Sequence, residues 1–170
     1  MKKILKGIFL FVSLAIFMIS CSLDTNSNET TENFIPTIDI SLSQQTEWDM
    51  AIEILNLINS HRQSIGLSSI QLDNQLASAY AVSHTLYMIE VNEINHANFQ
   101  IRSEGMIHAG AIYVGENVAS GYDSPESVVN AWLNSTPHKN IIEGNYTHSG
   151  FGILKNNQGR YYFTQLFYKM

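Results

Sequence analysis

The last strand of this chain constrains its fold more than any other segment. In residues 160–170, RYYFTQLFYKM, both alternating sets of positions are apolar: Tyr161, Phe163 and Phe167 in one set, Tyr162, Leu166 and Tyr168 in the other. Successive side chains of a strand point to opposite faces, so this strand must be covered on both faces. Helices predicted earlier in the chain can supply both covers. The pattern indicates an α+β fold, a three-layer α-β-α sandwich with a mainly antiparallel central sheet.

Two helical patterns occupy the first half of the predicted domain. In residues 48–58, apolar side chains recur at helical spacing, with Thr46 as the expected N-cap and Gly66 as the expected stop. A second helix is expected after residues 73–74. Its half-buried face includes His84, which we expect to be a satisfied core histidine.

The following segment is less regular. Residues 92–113 lack a clear period, apart from a short helix expected near residues 99–105. AIYVGENVAS, residues 111–120, reads as a strand, or an extended segment, that Gly115 interrupts, and Asn117 is expected to turn the backbone through local hydrogen bonds.

The C-terminal part predicts a third long helix and a hairpin. Ser124 is a suitable N-cap, Pro125 fits the first helical turn, and Pro137 is expected to end the helix. The two strands of the hairpin, SGFGILK and RYYFTQLFYKM, are separated by the turn NNQG.

The first 21 residues have the pattern of an export signal. Three lysines precede an apolar run that is short for a membrane span, and the run ends in Met-Ile-Ser-Cys, which resembles a bacterial lipobox. We therefore expect a signal peptide over residues 1–20, lipidated Cys21 with a flexible tether over residues 21–45, and one domain over residues 46–170. The alternatives are an uncleaved anchor helix and a soluble secreted protein with a leftover thiol.

The charge of the chain excludes one class of partner. The formal net charge is −6, and removal of the expected signal peptide, with its three lysines, makes the rest more negative. An acidic chain without a basic run is poorly suited to nucleic acid. Cys21 is the single cysteine, so an intrachain disulfide is excluded and the domain must be stabilised by its core.

Several motifs follow one another in a specific order. They are INSHRQSIGL, ASAYAVSHTLYM, NHANF with a later Arg, GENVASG, VVNAWLNSTPHKNII, HSGFGI and YYFTQLF. In this order and at these distances, residues 48–169 resemble the CAP superfamily, which includes cysteine-rich secretory proteins, antigen 5 and pathogenesis-related proteins. The match is best with the short bacterial lipoprotein and secreted branch. The resemblance implies an α-β-α sandwich, in agreement with the strand pattern.

The resemblance also implies a cleft. Many members of the superfamily place two histidines and two acids there, and His96, Glu116 and His138 match three of these four positions. Ser135 stands near the fourth position, where an acid follows the tryptophan in many eukaryotic members. The resemblance therefore implies a ligand-binding cleft of these four residues.

The three matching groups have three possible uses. Two imidazoles and a carboxylate can hold Zn²⁺ and leave a position for water, in which case His96 and His138 are metal ligands. Without a metal, a carboxylate beside an imidazole can support general base catalysis, which makes His96, Glu116 and His138 candidate catalytic residues. Alternatively, the three residues are structural, and Glu116 pins a loop.

Three functions follow from these uses. A binding module for a lipid, a cell-wall fragment, a divalent metal or a protein is favoured because the tetrad is incomplete, and an enzyme is correspondingly less favoured. The alternatives are a metal-assisted hydrolase resembling a peptidase, with zinc as the possible cofactor, and a structural or adhesive surface protein. In each case we expect an extracytoplasmic protein anchored to a bacterial membrane through Cys21.

Overall fold

The computed structural model describes residues 37–170. The expected signal peptide, Cys21 and most of the expected tether lie outside these residues. A 3₁₀ helix, Ile40–Gln45, comes first. The helices and strands that follow are α1 (Trp48–Ser64), β1 (Gln71–Leu72), α2 (Leu76–Val91), α3 (Phe99–His108), β2 (Tyr113–Ser120), α4 (Pro125–Leu133), α5 (Thr136–Ile142), β3 (His148–Lys155) and β4 (Tyr161–Lys169).

The four strands form one sheet in the order β1-β3-β4-β2. The strand β4 pairs antiparallel with both β2 and β3, whereas the two-residue β1 pairs parallel with β3. The predicted α-β-α sandwich is therefore confirmed, with a sheet that is mixed although most of its pairing is antiparallel. The strand β2 lies at an edge of the sheet.

Both faces of β4 are covered, as its sequence predicts. Phe163 and Phe167 pack with side chains of α1 and α4, including Ile58 and the nearly inaccessible Trp132. Residues of the other set, such as Leu166, pack against α2 and α3. Burial of one such aromatic or aliphatic side chain contributes about 1.5–3 kcal/mol, so the two covers together supply much of the driving force for folding.

The helix α2 lies directly on the backbone of β3. A Cβ atom added to Gly150 would collide with Ala77 and Ser78, and one added to Gly152 would collide with Ala81 and the residue after it. The glycines in SGFGI are thus explained by close approach of two backbones.

Beyond the two-residue β1, the backbone groups of β3 form hydrogen bonds with residues 46, 47 and 78 instead of with a neighbouring strand. The Thr46 hydroxyl donates to Phe151 O at 2.7 Å, and Ser78 Oγ accepts from Phe151 N at 2.9 Å. The backbone N–H of Glu47 donates to Ile153 O at 3.1 Å. The prediction that Thr46 caps α1 was wrong, because its hydroxyl is used in this tertiary contact and the N-cap position is Glu47.

Helix ends that depend on local signals were predicted correctly. Gly66 follows α1 with a φ of 80°, and Ser124 forms a capping box with Ser127. The prediction that Pro137 ends α4 was wrong; α4 ends at Leu133, and Pro137 lies in the first turn of α5, where its missing N–H is harmless. None of the helices in residues 37–170 has the length and apolar character needed to cross a membrane.

Candidate functional site

The GEN motif lies in the middle of the edge strand β2. The predicted interruption at Gly115 was wrong, because β2 pairs with β4 without a break from Tyr113 to Ser120. Gly115 is required for another reason: a Cβ atom there would collide with the hydroxyl of Tyr146, whose ring covers this part of the strand. The next two side chains point to opposite faces, Glu116 toward α2 and α3 and Asn117 toward α5.

Glu116 is the centre of a buried ionic network. Its Oε1 atom accepts hydrogen bonds from His96 Nδ1 at 2.8 Å and Arg102 Nη2 at 2.8 Å. Its Oε2 atom accepts from Arg102 Nε at 2.8 Å. The side chain of Glu116 is 2% exposed, that of Arg102 is 6% exposed, and that of His96 is 52% exposed. The network therefore runs from a buried ion pair to an imidazole at the surface.

The carboxylate of Glu116 is held in its ionised form. Burial alone would raise the pKa of Glu116, but the hydrogen bonds from His96 and Arg102 and the positive charge of Arg102 outweigh burial and lower it. Because a carboxylate can only accept, His96 must donate through Nδ1, which leaves Nε2 of His96 as the ring nitrogen for a ligand.

His84 lies behind this network. As predicted, it is a buried and satisfied histidine, since its Nε2 donates to Asn95 O at 2.7 Å. The same nitrogen lies 4.0 Å from Glu116 Oε1, which makes His84 a neighbour of the site that the sequence did not assign to it. Burial lowers the pKa of His84, and the charge of Arg102 lowers it further, whereas Glu116 raises it.

His138 and Ser135 form a second pair at the start of α5. Ser135 occupies the N-cap position, but its hydroxyl makes no capping bond to the backbone; instead it lies 2.8 Å from His138 Nδ1. Burial lowers the pKa of His138, and the nearby charge of His96 lowers it further. His138 is therefore a neutral imidazole near pH 7, able to donate or accept a hydrogen bond.

Asn117 connects the second pair to the strand. Its Nδ2 atom donates to His138 O at 3.2 Å, and its side chain is fully buried. The prediction that Asn117 turns the backbone was wrong, because it is a regular strand residue opposite Gln165. His96 lies on one side of β2 and Ser135 and His138 lie on the other, and the predicted ligand-binding cleft formed by these residues, called the cleft from here on, stays a prediction.

The sequence prediction missed Arg102 as a member of the site. The other histidines lie elsewhere: His61 bonds Glu143 at 2.8 Å, His148 stacks on Tyr168, and His108 is exposed at the end of α3. A signal for Arg102 was present in the sequence. It is a single basic residue on the face of α3 that also buries Gly105 and Met106, and a buried cation of this kind requires an anionic partner.

A three-ligand metal centre with Glu116 does not fit this geometry. Both carboxylate oxygens of Glu116 are occupied by Arg102 and His96, and a guanidinium stands where a second cation would be repelled. Within residues 37–170, no group of three histidine, cysteine or acidic side chains could hold a metal ion. Metal binding by the two histidines His96 and His138 alone stays a prediction.

The fold and the site together define a class of protein: a three-layer sandwich with imidazoles on both sides of a Gly-Glu-Asn edge strand. Residues 55–167 match the cysteine-rich secretory protein family, CAP, over most of the described domain. The chain belongs to this family.

Bacterial proteins are among its relatives. YkwD of Bacillus subtilis is 38% identical over 110 residues, which are 61% of this chain and 42% of YkwD. The B. subtilis membrane protein YlbC is 34% identical over 124 residues, 69% of this chain and 34% of YlbC. The chain thus spans less than half the length of either relative. An outer surface protein of Borrelia burgdorferi has a similar fold with a TM-score of 0.62 and 27% identity, covering 72% of this chain and 93% of the Borrelia protein.

Proposed function

We propose that this chain is an extracytoplasmic binding module whose cleft takes a polar ligand through His96, Ser135 and His138. The observation that carries the proposal is the engagement of Glu116 by Arg102 and His96. Both oxygens of this carboxylate are engaged and the side chain is 2% exposed, so it is poorly placed to take a metal or a proton from a substrate. The groups left for a ligand are two imidazoles and a hydroxyl, which both donate and accept hydrogen bonds.

The charge of the site favours an uncharged ligand. Glu116 and Arg102 neutralise each other, and the low pKa of His138 keeps its imidazole neutral near pH 7. The chain as a whole carries a net charge of −6, which disfavours polyanions. A cell-wall fragment, which offers hydroxyl and amide groups without requiring a strong charge, matches these properties better than a lipid or an acidic polymer.

The proposed location rests on the N-terminal sequence and on one structural neighbour. The apolar run and the Met-Ile-Ser-Cys tetrapeptide support export and lipidation at Cys21. The Borrelia protein that resembles this chain is an outer surface protein. In cells, we expect Cys21→Ser to move the protein from the membrane fraction to the soluble extracytoplasmic fraction. An unchanged membrane fraction would contradict lipid anchoring at this residue.

The binding proposal is tested by calorimetric titration of the full-length chain with soluble peptidoglycan fragments. The unaltered protein should show saturable binding, and the His96→Ala/His138→Ala double variant should lose at least about tenfold in affinity, the equivalent of one or two hydrogen bonds. His108→Ala is the matched control, because His108 is an exposed histidine outside the cleft.

Three results would contradict the proposal as stated. They are no binding of any fragment, equal binding by the double variant, and an equal loss in His108→Ala. Parallel titrations with neutral phospholipid vesicles and with an unstructured peptide library identify the ligand class if the cell-wall fragments fail. Retention of all binding by the double variant would favour the structural or adhesive role.

A further inference from the structure

Arg102 occupies an unusual position for a fully charged side chain. It lies on α3, its side chain is 6% exposed, and Glu116 is the acid within 4 Å of it in residues 37–170. Its Nε and Nη2 atoms form a two-pronged contact with the carboxylate of Glu116, and its Nη1 donates to Ala97 O at 2.8 Å. A planar guanidinium matches a carboxylate in this way, whereas a lysine ammonium cannot make both bonds.

The ion pair with Arg102 neutralises the charge of Glu116, so the carboxylate does not require a second cation. The carboxylate accepts three hydrogen bonds in total, two from Arg102 and one from His96, and is 2% exposed. A divalent ion could reach it only by displacing a guanidinium that is itself buried and bonded at both ends. The displaced charge would then have to be buried elsewhere without a partner, which is strongly unfavourable.

We propose that Arg102 is the built-in cation of this cleft: it takes the place of a metal at Glu116 and, through Glu116, holds His96 with Nε2 directed to the ligand. Arg102 is thus a positioning residue rather than a catalytic one. The role assigned to His96 rests on the proposed function, but the statement about the cation does not require any ligand.

The same arrangement implies a latent metal site. Glu116 Oε1 lies 2.8 Å from His96 Nδ1, so one carboxylate and one imidazole border the space next to the guanidinium, whereas His84 Nε2 donates to Asn95 O and is not a ligand. A carboxylate and an imidazole are ligands that Zn²⁺ accepts. Replacement of Arg102 by an apolar side chain of similar length should therefore raise the affinity of this position for Zn²⁺.

The test is a calorimetric titration of the full-length chain with Zn²⁺ alone. Arg102→Met should bind Zn²⁺ at least about tenfold more tightly than the unaltered protein, since a unit positive charge beside the carboxylate opposes a divalent ion even at the effective dielectric of a protein surface. The gain should disappear in Arg102→Met/Glu116→Gln, which lacks the carboxylate. Arg102→Lys, which keeps the charge, should behave like the unaltered protein.

Replacement of Zn²⁺ by Co²⁺ adds a spectroscopic readout. The visible absorption of Co²⁺ should change more on titration with Arg102→Met than on titration with the unaltered protein. In addition, the ¹⁵N chemical shifts of the His96 ring should show a proton on Nδ1 in the unaltered protein and in Arg102→Lys, and a mixture of tautomers in Arg102→Met.

The proposal is overturned if the unaltered protein binds Zn²⁺ and loses that binding in Glu116→Gln, or if folded Arg102→Met binds no better than the unaltered protein. If Arg102→Met does not fold, the comparison of the unaltered protein with Glu116→Gln decides: equal Zn²⁺ binding supports the proposal, and binding lost with the carboxylate overturns it. Failure of the cell-wall titrations would leave all these results standing, so the two proposals fail separately.

Discussion

The ion pair between Glu116 and Arg102 should show a large energetic coupling. Removal of one member of a buried pair leaves the other charge buried without a partner, which costs about 3–5 kcal/mol. Both side chains meet that condition, because they are 2% and 6% exposed and are joined by two hydrogen bonds of 2.8 Å. We therefore expect Glu116→Gln and Arg102→Met each to lower the free energy of unfolding by about that amount.

The double variant distinguishes a real pair from two independent side chains. With both charges removed, no unpaired ion remains, so Glu116→Gln/Arg102→Met should be destabilised by about 1–3 kcal/mol less than the sum of the single variants. The measurement is urea denaturation of the four proteins, followed by tryptophan fluorescence, since Trp132 is almost completely buried.

A matched control lies on the exposed side of the same helix. Gln100 Nε2 donates to Glu104 Oε1 at 2.7 Å, and alanine replacements there should couple by less than about 0.5 kcal/mol. Additivity within about 0.5 kcal/mol at Glu116 and Arg102 would refute the reasoning, because it would mean that neither charge depends on the other in the folded state.

Three further outcomes follow from the packing and the buried histidine. Gly152→Ala should destabilise the protein by about 1–3 kcal/mol, because its methyl group would push against the backbone of α2 at Ala81, and an unchanged urea midpoint would contradict that contact. Thr46→Val should cost about 1–3 kcal/mol, since Phe151 O loses its 2.7 Å bond in a buried place, and a thermal melt equal to that of the unaltered protein would argue against the bond. Burial lowers the pKa of His84 from 6.5, so the unfolded chain binds more protons than the folded chain below that pH. The free energy of unfolding should therefore fall as the pH is lowered through 6.5 toward the folded pKa, by at most about 1.4 kcal/mol per pH unit. His84→Gln should flatten this slope in urea titrations at several pH values, and an unaltered slope would exclude His84 as its source.

The architecture could be predicted because its main signal is confined to one strand. The two apolar sets of β4 require two covers, and the structure places α1 and α4 on one face and α2 on the other. Gly66 and Ser124 were also predicted correctly, since a positive φ and a capping box involve only neighbours in sequence.

The errors arise where a polar side chain has a distant partner. Thr46 has the chemistry of an N-cap, but its hydroxyl bonds Phe151 O, which is 105 residues away. Asn117 has the chemistry of a turn residue, but its amide bonds His138 O, which is 21 residues away. Local preferences are the same in both settings, so only the tertiary structure decides between them.

The sequence predicted most residues of the site, but it did not predict how their side chains are bonded to one another. The resemblance to a known family pointed to His96, Glu116 and His138, and the structure joins the first two directly and brings the third to the other side of β2. The sequence alone did not show that Arg102 forms an ion pair with the carboxylate of Glu116. The spacing on α3 groups Arg102 with Gly105 and Met106, but only the packing of α3 against β2 shows that its partner is Glu116.

The two glycines of β3 also determine which parts of the molecule can move. Because the backbone of α2 lies against Gly150 and Gly152 without intervening side chains, sliding or rotation of α2 would bring its backbone into collision with that of β3. We therefore expect the sheet and α2 to move together as one rigid body. We expect any widening of the cleft to come from displacement of α3 or α5 at the free edge of β2, so that access to His96 and to His138 can change independently.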